Sequence, residues 1–177
     1  MEQHPDQKRI SGPGFAGDEG SAKPAVASAL SAFATRRGTY AVALAALLDS
    51  RVLVPVVAVL GTVEHRASGL ARDKTSDMAT VLLTGADGRR ALLAFTSTES
   101  LRAWRADARP VPVGFRDAAM AALQEEADAI VVDVAGPVTF PIEGEDLRAA
   151  AAGLGLAFVG DSSAWVSPVA RDSHGSD

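Results

Sequence analysis

Not one of the 177 residues is a cysteine. That absence removes disulfides, thiol nucleophiles, iron–sulfur clusters and cysteine-ligated zinc together. Histidine is scarce as well, with only His4, His65 and His174. None stands in an H-E-x-x-H or comparable ligand spacing, so no metal site is expected. His65, in Glu64-His65-Arg66, reads as a solvated loop side chain. Lysine is confined to Lys8, Lys23 and Lys74, whereas arginine and alanine abound. Both biases point to a GC-rich bacterial genome and weaken alanine runs as evidence for helix.

Positive charge is in deficit too. The formal net charge is −5, which disfavours electrostatic binding of nucleic acid or anionic lipid. No long uninterrupted apolar run exists either. The most apolar stretch, Tyr40 to Val63, is broken by Asp49, Ser50 and Arg51, and a membrane span needs about 20 apolar residues without such charges. The polar, Gly/Pro-rich N-terminus lacks the apolar segment of a signal peptide. A cytoplasmic protein is expected.

What is present suits one layered domain. Residues 1–24 read as a disordered tail. The tail contains Gly12-Pro13-Gly14-Phe15-Ala16-Gly17, which matches G-x-G-x-x-G in letters. No strand precedes it and Pro13 removes a backbone donor, so it does not read as a dinucleotide site. The domain is expected over residues 25–153, with a weakly ordered extension over 154–177.

Val26, Leu30 and Phe33 recur at helical spacing, and Gly38 offers a stop. A second helix is predicted from Thr39 to Asp49. Val52 to Leu60 reads as a strand buried on both faces, with Pro55 marking an edge or bulge. Glu64 to Asp77 reads as a polar loop. Asp87-Gly88 between the apolar runs Met78–Thr84 and Arg90–Phe95 predicts a hairpin. Thr96-Ser97-Thr98-Glu99 then has the form of a capping box opening a helix that carries Leu101 and Trp104.

Pro110 to Phe115 is a short extended segment. The next helix runs from Asp117 to Ala127, with Met120 and Leu123 facing inward. A strand over Ala129–Val134 comes after it, then an extended piece to Ile142 and a helix from Glu145 to Ala152 stopped by Gly153. Helices alternating with strands indicate an α/β domain with a mixed β-sheet flanked by helices, with α+β the alternative class.

No nucleophile elbow of the form G-x-S-x-G occurs, and His65 is the one candidate base for Ser97 or Thr98. The carboxylate groups Glu125, Glu126, Asp128 and Glu143, Glu145, Asp146 suit helix ends. Asp133 interrupts an apolar strand, so it must be paired or stand at the strand's C-terminal end, where open α/β sheets bind ligands. Asp73, Lys74 and Asp77 crowd a polar loop that enters a strand and could face a partner or ligand.

In order, these motifs form a recognisable series. They are Val52-Leu-Val-Pro-Val, Asp73-Lys74-x-x-Asp77-Met78, the Asp87-Gly88 to Phe95-Thr96-Ser97 hairpin with Leu101 and Trp104, Arg109-Pro110, Ala129 to Asp133, and Gly136-Pro137. Together they resemble the N-terminal domain of the SseB family, as found in high-GC Gram-positive bacteria, over residues 25–153. The family's name refers to enhanced serine sensitivity; the resemblance implies no catalytic residues and no cofactor. Without a catalytic constellation, and with prolines at two strands (Pro55 and Pro112), the expected activity is non-enzymatic binding of another protein or of itself. The alternative is a small-molecule-binding or hydrolytic enzyme with a pocket near Asp133 and the Asp73–Asp77 loop.

Overall fold

In the computed structural model, which describes Phe15 and residues 17–59 and 77–167, the apolar runs are strands and the amphipathic stretches are helices. The first part of the chain gives α1 (Pro24–Ala34), α2 (Tyr40–Leu48), β1 (Arg51–Val59), β2 (Asp77–Thr80), β3 (Leu82–Thr84), β4 (Arg90–Ala94) and α3 (Thr98–Trp104). The remainder gives β5 (Arg109–Gly114), α4 (Phe115–Gln124), β6 (Ala129–Val132), β7 (Phe140–Glu143), α5 (Gly144–Ala151), β8 (Gly155–Val159) and β9 (Ser162–Val166).

β4 and β6 pair in parallel, with Leu92 opposite Ile130 and Ala94 opposite Val132. β3 and β7 flank them antiparallel, in the order β3-β4-β6-β7. A second, antiparallel sheet has the order β2-β1-β5. The two are stitched where Leu53 and Phe95 exchange backbone hydrogen bonds of 2.7 and 2.9 Å.

Both faces of this sheet are covered, which is why its central strands lack apolar/polar alternation. Val52, Val54, Leu92, Ala94, Ile130 and Val132 pack under α1, α2, α4 and α5. Leu53, Leu93 and Phe95 face the other way, against Leu101 of α3. The result is the layered α/β domain with a mixed sheet that the sequence predicts.

Pro55 does not lie on an edge strand, since β1 has β5 on one side and β4 then β2 on the other. Leu53 N–H points to Phe95, so the nitrogen of residue 55 points to that same side. There the strand passes from Phe95 to β2, whose pairing begins at Val56. No donor is needed at that position. Pro112 lies opposite Leu53 on β5, an edge strand among the described residues, with its nitrogen directed away from β1 as strand prolines require.

Three further expectations change. α1 ends before Gly38: Arg36, at φ 57°, takes the left-handed position, while Arg36 and Arg37 N–H close onto Phe33 and Ala32 carbonyls. In α4 the inward face is Phe115, Ala118, Ala119 and Ala122, whereas Met120 is 46% exposed and Leu123 also lies outside. Alanines let α5 approach closely with its own Ala149 and Ala150, so close helix packing overrides the larger side chains. Thr96 is not the cap of α3; Ser97 is, in a reciprocal capping box with Ser100.

Downstream of Gly153, which closes α5 at φ 77°, β8 and β9 form a hairpin docked by Leu156 and Trp165. Upstream, Asp18 to Lys23 lie against the domain rather than free of it, held by hydrogen bonds from Arg51 and from the backbone of Thr98.

Candidate functional site

The two parallel strands end on the same side of the domain, and the connections leaving them meet there. Asp133 comes directly after β6, at φ 52° and 4% exposed. Its backbone N–H donates to the Ala94 carbonyl at 2.9 Å, extending the ladder by one bond. Its side chain then turns toward the β4–α3 connection. Oδ1 accepts from Thr96 N–H at 2.9 Å and from Ser100 Oγ at 2.6 Å, and Oδ2 accepts from Thr96 Oγ1 at 2.6 Å. Ser97 Oγ lies 3.2 Å from Ser100 Oγ and accepts from Ser100 N–H. A hydroxyl carries one proton, so Ser97 donates to Ser100 and Ser100 to Asp133.

Arg51 completes the arrangement from β1. It is 7% exposed, and its guanidinium donates to the Thr96 carbonyl, to both carboxylate oxygens of Asp18 and to the Ser21 carbonyl, the last at 2.7 Å. Thr98 N–H donates to the Gly20 carbonyl at 2.7 Å. The strap Asp18–Lys23 is therefore fastened to the β4–α3 connection. The guanidinium beside Asp18 holds its carboxyl below the usual carboxylate range.

Above this network lies a half-open groove of about 560 Å³ between α1, α3 and the β6–β7 connection. Its walls are largely small or apolar, including Ala27, Leu30, Ala103 and Val138. Thr96, Ser97, Ser100 and Asp133 form a polar end, and among the described residues Glu99 is the one other charged side chain on the lining. Among the described residues no lysine or arginine lines it. A crevice outside the carboxyl ends of parallel strands is where open α/β sheets place their ligands.

The hydrogen bonds of the polar end hold the β4–α3 and β6–β7 connections together. Asp133 accepts three hydrogen bonds, the serine protons are committed to neighbours, and no histidine or lysine among the described residues adjoins them. Among the described residues no cluster suits a metal ion.

Of the candidate contact residues Asp73, Lys74, Asp77 and Asp133, the structure places Asp133 at this groove, and Ser97, weighed from sequence as a nucleophile, stands beside it as the cap of α3. Asp77 pairs with Val59 in β2, six residues along β1 from Leu53, or about 20 Å away at strand rise. Asp73, Lys74, Glu64 and His65 lie outside the described residues, as does most of the glycine motif at 12–17. Sequence reasoning passed over Arg51, Ser100 and Asp18. Arg51 carried a signal, a lone charge opening an otherwise apolar strand.

A family model described as SseB protein N-terminal domain matches residues 26–149. The chain belongs to the SseB family. No curated protein and no solved structure matches it. The SseB match spans α1 to α5 and so contains Arg51, Thr96, Ser100 and Asp133. The strap residues Asp18 and Ser21 and the β8–β9 hairpin fall outside the SseB match.

Proposed function

We propose that this SseB domain is a non-enzymatic cytoplasmic binding module whose recognition site is the groove at the carboxyl ends of β4 and β6. The observation that carries this reading is Asp133 at the groove's polar end, whose three hydrogen bonds tie it to the β4–α3 connection and order both connections. Among the described residues the lining has no basic side chain and includes Glu99, which favours an apolar, uncharged or cationic occupant, and an exposed segment of a partner protein meets that description. Mean hydropathy is +0.13, and no described helix is long and apolar enough to cross a membrane.

A second reading keeps the same groove and places a small molecule in it. Its volume, about 560 Å³, favours this, since small-molecule sites run roughly 300–1,000 Å³.

One pair of variants tests the site. Ala103→Phe, on an exposed position of α3 that lines the groove, fills it without touching the core. Partners captured from lysate by the wild-type chain should be lost with Ala103→Phe and kept with Met120→Ala, on the far helix α4. Equal capture by both variants overturns the groove as the site. A thermal-shift screen with apolar amines, neutral apolar compounds and carboxylates separates the second reading. Stabilisation of wild type but not of Ala103→Phe by a compound of the first two classes supports a small molecule; stabilisation only by carboxylates contradicts the charge argument.

A further inference from the structure

The strap Asp18–Lys23 is held by polar contacts. Each of its residues is exposed or half-buried, so it gives no side chain to the core. Arg51 grips Asp18 with two nitrogens, at 2.5 and 2.8 Å, and the Ser21 carbonyl with one of them, while Thr98 N–H holds the Gly20 carbonyl. Lys23 Nζ adds a bond to the Asp49 carbonyl at 3.1 Å. The seat is shaped for this segment. Gly20 stands at φ 77°, and a Cβ there would collide with Thr98 Oγ1. Segments with few buried apolar contacts open at low free energy, separately from the rest of a fold.

These fastenings end on the β4–α3 connection, which also forms the groove's polar end. The Arg51 guanidinium donates to the Thr96 carbonyl on one side and to the strap on the other. Thr96 donates its N–H and its hydroxyl to Asp133, and Ala22 of the strap lines the groove itself. Contacts therefore run unbroken from the strap through Arg51 and residues 96–98 to Asp133.

We propose that the strap is a latch on the groove. Fastened, it holds the β4–α3 connection in the form that binds; released, it loosens Thr96, Ser100 and Asp133 and weakens binding. Arg51 is the positioning residue that joins the two. When the strap leaves, Arg51 loses Asp18, its one ion-pair partner among the described residues. A cation without its partner turns to water, at the expense of its bond to the Thr96 carbonyl. Such coupling is reciprocal, so an occupant of the groove also holds the strap down. The consequence for binding rests on the groove being the recognition site; the coupling itself does not.

Amide hydrogen exchange of the full chain, read by NMR, tests the latch without any ligand. Asp18→Asn and Gly20→Ala release the strap. Both should speed exchange at the Thr96 and Ser100 amides by about fivefold or more relative to Ile130 in β6. Those two amides bond to Asp133 and Ser97, not to the strap. Glu19→Gln, which removes the same charge from an exposed strap position, should leave them at wild-type rates. In the other direction, Asp133→Asn should hasten cleavage after Glu19 by a glutamate-specific protease by a similar factor, relative to cleavage after Glu143 in β7. Thr96 and Ser100 rates that merely follow Ile130 in both strap variants overturn the proposal. So does an equal effect of Glu19→Gln, or strap cleavage indifferent to Asp133→Asn. If Ala103→Phe shows that partners bind elsewhere, these rates still report the latch, so the two failures stay distinct.

Discussion

A single aspartate holds the centre of this molecule in a backbone conformation that costs most residues energy. At φ 52°, Asp133 occupies the left-handed region, which Asp and Asn tolerate better than other non-glycine residues. Its carboxylate repays that strain with three hydrogen bonds inside the protein. Asp133→Ala strands the Thr96 and Ser100 donors and worsens the backbone fit. It should cost about 3 kcal/mol, lowering the melting temperature by roughly 6–12 °C at this size. Asp133→Asn keeps the turn and part of the bonding, so calorimetry should place it between wild type and alanine. Equal losses would mean that the carboxylate charge, and not the geometry, carries the effect. Elsewhere the left-handed position brings no side-chain return. Glu126 closes α4 at φ 56° with an exposed side chain, so Glu126→Gly should raise stability by about 1 kcal/mol in chemical denaturation. Asp133 was conspicuous in the sequence as a charge ending an apolar run. Its partners were not, because Thr96 and Ser100 lie 37 and 33 residues away and their hydroxyls fit local capping equally well.

Among the elements, the strap Asp18–Lys23 depends on one buried arginine. Asp18 titrates below its ordinary value of 3.8 chiefly because Arg51 donates to it. The ion pair therefore stabilises the fold above that value and is lost as pH falls through the lower native value. Melting temperatures of wild type and Asp18→Asn should differ by a constant amount near neutral pH and converge in acid below the ordinary value. A gap that widens in acid would contradict the assignment. Deleting residues 1–20 removes Asp18 and the Gly20 carbonyl and should lower the melting temperature, although composition alone assigns those residues to a dispensable tail. Glycines and a polar stretch announce disorder only when no distant partner waits for them; here Arg51, 33 residues on, is that partner. α4 teaches the same lesson in packing. Ala122→Leu should cost about 1–3 kcal/mol by overfilling the contact with α5, whereas Met120→Ala should change little. Hydrophobic size pointed the wrong way because approach distance, set by α5, chose the small face.

For the whole molecule, the groove exists because three separate parts of the chain converge on the ends of two parallel strands. α1, the β4–α3 connection and the β6–β7 connection each supply a wall, and the Asp133 and Arg51 contacts hold the latter two in register. Filling it with Ala103→Phe should leave the melting temperature within a few degrees of wild type, since that residue is exposed on α3. A large drop would show that the groove closes in solution and that its walls support one another.

The sequence by itself determined the layered class and most elements up to α5, but not that the run Met78–Thr84 divides into β2 and β3 on different sheets, nor that β8 and β9 form a hairpin. Apolar runs without alternation required a sheet covered on both faces, Asp87-Gly88 required a hairpin, and Gly153 required a helix stop. Those are local signals, carried within a few residues by periodicity and turn chemistry. Tertiary structure alone decided that Pro55 sits inside a sheet, that alanines form the buried face of α4, and that Thr96 serves Asp133 instead of capping its own helix. Each is a choice between locally equivalent options. The deciding energy came from a partner distant in sequence, which no local pattern encodes.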